Sequence, residues 1–185
     1  MKWILLKRIQ LKQILGMVNK MKYRTIILIA FVNFILSSTL LQLFRINDAL
    51  PNFCIILSIV IAALSNDKNA YIFAAVSGVL QDFFLGRMLG VNFLLYVLIV
   101  MMTLYLIEIM FKGNFLTPLF LIAFGTLFYH FSFYIIMFFV QSTIPLSMML
   151  TKIITEVFYN MFLGYWIYAF VFKRVHGYKL GDFNA

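Results

Sequence analysis

The chain has 185 residues, of which 64% are hydrophobic and 11% charged, with a mean hydropathy of +1.01; a water-soluble domain carries roughly 45–50% apolar and about 25% charged residues. Its net charge of +9 comes from 15 Lys and Arg against 6 Asp and Glu, and its single cysteine, Cys54, excludes an internal disulfide framework and a Cys-based zinc cluster. The expected class is therefore an all-α polytopic membrane protein of one domain, with little material for any metal site and no cofactor.

Met1 to Arg24 holds seven basic residues and no acid. Charges interrupt its apolar run and no small-residue cleavage site follows, so it does not read as a signal peptide. Ile4, Leu11 and Leu15 share a helical face, but Arg8 falls on that face too. Residues 1–22 are expected to form a basic cytoplasmic leader, with contact to anionic lipid as the alternative. Met21 could also serve as the start, since residues 1–20 carry no recognisable element.

Residues 23–173 are expected to form a six-helix transmembrane domain. Thr25–Phe44 is nearly unbroken apolar sequence, long enough for a hydrocarbon core of roughly 30 Å. Arg45-Ile-Asn-Asp48 breaks it, and Leu50-Pro51 opens a short second segment to about Leu64, with Pro51 suited to a first helical turn. After the polar turn Ser65–Asn69, a third helix runs to about Leu85. Leu89–Phe111, Phe115–Val140 and Leu146–Phe172 follow, joined by turns at Lys112–Asn114 and Gln141–Pro145, and residues 174–185 form a cytoplasmic tail. No stretch is low-complexity, and the halves show no convincing repeat.

With six spans and a cytoplasmic start, twelve of the 15 basic residues fall inside, leaving only Arg45, Arg87 and Lys152 outside or near it. That asymmetry predicts both termini in the cytoplasm. Tyr23, Tyr71, Tyr165, Trp166 and Tyr168 then approach the cytoplasmic interface, as amphipathic rings prefer.

One motif organises the middle of the chain. Ala70, Ala74, Gly78, Asp82, Gly86 and Gly90 recur every fourth residue, which on a helix draws a stripe of small residues interrupted by a carboxylate. Small residues let membrane helices approach closely, and tight contact is what drives their association in lipid. Asp82 is read either as a capped or snorkelling residue near the interface or as a packed, partnered one. An interhelical hydrogen bond averages only about 0.6 kcal/mol in a membrane, so the packing stripe is expected to matter more than a single bond from Asp82. Deeper in the bundle, Glu156 lies about 15 Å into the sixth helix at 1.5 Å per residue, and His130 lies at similar depth in the fifth. Adjacent antiparallel helices could pair them, either as a structural buried pair or as a proton or substrate site. Lys152, one turn from Glu156, is a competing partner. Glu108 reads as interfacial. The sequence has no phosphate-binding loop, no His-Glu-x-x-His and no Gly-x-Ser-x-Gly, so no enzyme is expected.

Pro51-Asn52 opening a short helix, then Gly78-x-x-x-Asp82-x-x-x-Gly86-x-x-x-Gly90, then an apolar fourth helix, resembles the rod shape-determining protein MreD family over roughly Tyr23 to Arg174. This chain carries Pro51-Asn52 where such families show Pro-Asp, a departure that removes one charge at the outer interface. The resemblance implies a non-enzymatic member of the bacterial cell-elongation machinery in the cytoplasmic membrane. It would associate with MreC and act alongside MreB, RodA and a class B penicillin-binding transpeptidase; its partners would include the lipid bilayer and no nucleic acid. The stripe, Pro51 and Asn52 would be its helix-docking positions. The resemblance also implies a fold similar to the substrate-binding subunits of energy-coupling-factor transporters. An alternative reading, as a vitamin or small-solute receptor, follows from that. Those subunits carry an Ala-x-x-x-Ala contact on the first helix, whereas here Ala30 is followed by Phe34 and Ala70-x-x-x-Ala74 lies on the third. A proton-linked carrier using His130 and Glu156 is a third reading.

Overall fold

The computed structural model describes residues 22–39, 42–43, 45, 49–65, 67–85, 88–109, 116–140 and 146–176, the side chains of 146–148 and 174–176 excepted. The basic leader, Gly86, the turns at Lys112–Asn114 and Gln141–Pro145 and the tail beyond 176 lie outside the described residues. Six helices account for nearly all the rest: α1 Tyr23–Ser38, α2 Phe53–Leu64, α3 Asp67–Phe84, α4 Val91–Ile109, α5 Leu116–Phe139 and α6 Leu146–His176.

Helix starts shift by up to two residues from the sequence reading, and α6 runs four residues past Phe172 to His176. The end of α1 and the start of α2 differ for local reasons. α1 stops at Ser38 although apolar sequence continues to Phe44. There the Ser38 hydroxyl donates to the Phe34 carbonyl at 2.8 Å, and Thr39 donates its hydroxyl and its N–H to the Ile35 carbonyl at 2.7 and 3.0 Å. The Thr39 N–H bond is the last of the helical ladder, and the two hydroxyls back-bond to carbonyls one turn earlier at the helix end. α2 begins at Phe53, not at Pro51. Asn52 is its N-cap, and its Oδ1 accepts the Ile55 N–H at 3.3 Å. An asparagine side chain is a strong cap acceptor, and it leaves the buried Pro51 outside the helix.

α2 is the hub. Its 12 residues touch all five other helices, and nine of them are buried. A helix apolar on every side is stable only when surrounded. Ile55, Ile56, Ile59 and Val60 meet Phe73 of α3, Tyr96 and Ile99 of α4 and Leu121 and Ile122 of α5 in one core. At 1.5 Å per residue α2 is about 18 Å long, well short of a roughly 30 Å hydrocarbon core. Glycine admits the neighbours: a Cβ on Gly125 would stand 2.8 Å from Ile59 Cδ1, and one on Gly164 2.5 Å from Ile122 Cδ1.

The exterior of the bundle is apolar, unlike a soluble protein's, and several polar side chains lie among its buried residues. Phe31 on α1, Phe83 on α3, Tyr105 on α4, Phe131 on α5 and Phe158, Phe162 and Phe170 on α6 point outward, while Asn33, Asp82, Asn92, Glu156 and Asn160 are buried. Water would penalise such an exterior; lipid would not. Among the described residues two helices, α4 and α5, are long and apolar enough to cross a membrane by length and composition, and α1 and α2 are shorter apolar helices.

Candidate functional site

The best-defined polar site lies where α3 hands over to α4. Gly90 precedes α4 and acts as its N-cap: its carbonyl accepts the Leu94 N–H at 3.0 Å, and its φ of 93° is a left-handed value suited to glycine. Having no side chain, Gly90 cannot cap the N–H groups that a helix start leaves open. Asp82 supplies the missing acceptor from the last turn of α3. Its Oδ2 accepts the Gly90 and Phe93 N–H groups at 3.1 and 2.9 Å; its Oδ1 accepts the Asn92 N–H and Asn92 Nδ2, both at 2.9 Å. A buried carboxylate at a helix N-terminus, with three backbone N–H groups aimed at it, is a favourable arrangement of charge and dipole.

Gly78, one turn earlier, makes that geometry possible. A Cβ there would fall inside contact distance of Phe93 Cα and 2.7 Å from Phe93 N. These are backbone atoms with nowhere to yield, so α3 and α4 meet backbone to backbone. Ala70 and Ala74 continue the same buried face of α3. Gly90 shares the four-residue spacing but stands in the turn, exposed, because α3 has ended at Phe84. Asp82 therefore makes four hydrogen bonds within the chain, where the sequence reading had weighed the stripe against one.

A polar layer spreads from this cradle through the bundle. Asn92 Oδ1 accepts the Tyr129 hydroxyl at 2.6 Å, and the Tyr129 ring stacks on Tyr96 with centroids 5.6 Å apart. Tyr96 donates to Gln81 Oε1 at 2.6 Å, and Gln81 Nε2 and Asn33 Nδ2 donate to Cys54 Sγ at 3.1 and 2.9 Å. On the other side Asn160 Oδ1 accepts the Asn52 N–H at 2.8 Å while its Nδ2 donates to Thr126 Oγ1 at 3.0 Å. His130 Nε2 lies 2.9 Å from Glu156 Oε2. Lys152 is exposed. Every helix contributes to this layer, and most of its bonds join different helices.

Asn33, Gln81, Asn92, Tyr96, Tyr129 and Asn160 were not singled out from the sequence. The available signal was an amide or phenol inside an otherwise apolar run, which lipid tolerates only when partnered. Among the described residues no three His, Cys, Asp or Glu side chains converge as a metal site would need. The layer's chemistry is that of internal cross-linking.

An all-helical bundle with an apolar exterior and a hydrogen-bonded polar interior defines a class compatible with membrane proteins. The family description for rod shape-determining protein MreD matches residues 19–174, which takes in all the helical core, and the chain belongs to that family. It is a family of bacterial membrane proteins with a structural role in rod-shape determination, and it is not known as an enzyme family. No curated relative and no solved structure matches the chain.

Proposed function

We infer that this protein is a non-enzymatic integral-membrane scaffold of the bacterial cell-elongation complex. It crosses the cytoplasmic membrane six times with both termini in the cytoplasm, docks with MreC, and acts directly or indirectly with MreB, RodA and a class B penicillin-binding transpeptidase in peptidoglycan synthesis. The observation that carries this reading is the family match across residues 19–174. The apolar exterior and the strong bias of basic residues to one side support the topology. Stripe residues Gly78 and Asp82 serve docking through the shape they give the α3–α4 turn. Around that turn Phe83, Phe84, Leu85 and Leu89 are all more than half exposed, and they offer a partner helix an apolar contact whose backbone is held by Asp82. Pro51 and Asn52 set the neighbouring entry to α2.

The test is affinity purification of the tagged chain in mild detergent from its own cells, with mass spectrometry of what accompanies it. Recovery of MreC and wall-synthesis enzymes is expected. Recovery of paired ATPase subunits with a helical coupling protein, or of a bound vitamin, would overturn the reading and identify a solute receptor. Changing Phe83 and Leu89 together to Ser should reduce MreC recovery while leaving the monodisperse bundle intact.

A further inference from the structure

The His130–Glu156 pair differs from every other part of the polar layer. Asp82 is saturated by four donors, whereas His130 Nε2 is buried 2.9 Å from Glu156 Oε2 without an aligned hydrogen bond to any group. The two side chains are only 11% and 5% exposed. Buried ionisable groups that water cannot reach keep their charges only in company.

The pair also occupies a mechanically special place. α5 and α6 run antiparallel, and three ties follow one another along their seam: Gly164 against Ile122, Asn160 to Thr126, and Glu156 to His130. The first is close packing and the second a neutral hydrogen bond, neither dependent on a mobile proton. The third lies on the side of the α5–α6 connection relative to the other two.

The titratable neighbours are accounted for. On α5, Tyr129 meets the His130 ring edge-on at 5.5 Å but donates its proton to Asn92, and Tyr134 is half-buried. On α6, Tyr159 is half-buried three residues from Glu156 and has an interaction of its own. Tyr96 on α4 is bonded to Gln81, Cys54 on α2 to Asn33 and Gln81, and Asp82 on α3 to the start of α4. Lys152, exposed and one turn from Glu156, is the alternative counter-charge.

We propose that His130 and Glu156 form a proton-binding site that clasps α5 to α6. With one proton on the pair, either an ion pair or a neutral hydrogen-bonded pair closes the seam. A second proton neutralises Glu156 and leaves a buried imidazolium without its counter-charge. Loss of the first leaves a buried carboxylate facing a neutral imidazole, free to turn to Lys152. Either departure opens the seam from the His130 end, with the Gly164–Ile122 contact as hinge. This concerns α5 and α6 alone and does not depend on the scaffold role.

The test places spin labels on Phe138→Cys and Leu150→Cys in the full chain in lipid nanodiscs, leaving the buried Cys54 in place, and measures their separation by double electron–electron resonance. The range runs from about pH 4 to about pH 9, bracketing the ordinary Glu and His values. The expected result is a distance that lengthens toward at least one end of the range. It should be long throughout in Glu156→Gln, and short and pH-independent in the apolar pair His130→Phe with Glu156→Leu. A distribution in the unmodified pair that stays constant across the range would overturn the proposal, whether or not Glu156→Gln folds.

Discussion

Four donors converge on Asp82, and three of them are backbone N–H groups that only proline at their own positions would remove. Replacing the carboxylate therefore strands buried donors rather than trimming one bond. Asp82→Asn keeps one acceptor but turns an NH2 group toward N–H groups, and should cost about 3 kcal/mol; the check is thermal unfolding in detergent followed by fluorescence-detected size exclusion. Gly78→Leu should be worse, giving little monodisperse protein, because the obstruction is the Phe93 backbone. If Gly78→Leu were as stable as the parent, the backbone-to-backbone approach of α3 and α4 would be wrong. Gly90 fails differently: its would-be Cβ meets nothing within 4 Å, so the cost of Gly90→Ala is conformational, about 1–3 kcal/mol. Gly90→Asn should recover part of it, since Asn tolerates left-handed φ better than Ala. The Gly/Asp spacing was legible in the sequence, but Asp82's partners were not. Backbone N–H groups carry no letter of their own, and their direction depends on a turn whose geometry the four-residue period conceals.

Among the elements, α1 departs furthest from its sequence reading, stopping at Ser38 instead of Phe44, while the instructive difference lies at the start of α2. Its apolar run and brevity were plain, and they pointed to a segment deep in the bundle. Its start was misplaced because Pro51 and Asn52 send competing signals, and the cap acceptor prevailed. Asn52→Ala should cost about 1 kcal/mol through the lost cap, while Asn52→Asp should be at least as stable, since a carboxylate caps and also favours the positive end of the helix dipole. Hydrogen–deuterium exchange at Ile55 would show the difference as faster exchange in the Ala variant only. α5 was bounded closely by its apolar length, α6 runs four residues past its expected end at Phe172 to His176, and the depth estimate for His130 and Glu156 was sufficient to bring the two together. Gly125 and Gly164 escaped notice because each is an isolated glycine in an apolar run. Their role appears only once Ile59 and Ile122 arrive from other helices.

For the whole molecule, composition alone indicated the environment, and the apolar exterior of the bundle follows from it. The polar layer replaces what water-driven burial would do for a soluble core: in lipid, helices are held by close contact and by bonds between polar groups. Its amides and phenols join α1 to α2, α2 to α3 and α6, α3 to α4, and α4 to α5. Removing an interior amide should therefore loosen helices that it does not itself belong to. Asn160→Leu, which strands the Asn52 N–H, should lower the melting temperature and also raise proteolytic cleavage near residue 52. Cleavage confined to α6 would show that the layer is a set of separate contacts.

The Asp82 cap also bears on how the chain enters the bilayer. A carboxylate entering hydrocarbon within α3 alone is opposed by its desolvation, yet the groups that accommodate Asp82 lie just beyond, at the start of α4. On the proposed six-span topology, α3 and α4 are expected to partition together as a helical hairpin, with synthesis of the Gly90–Phe93 turn as the step that commits the nascent segment to the membrane. Ribosomes stalled before that turn should leave α3 extractable at alkaline pH, and ribosomes stalled well after it should not.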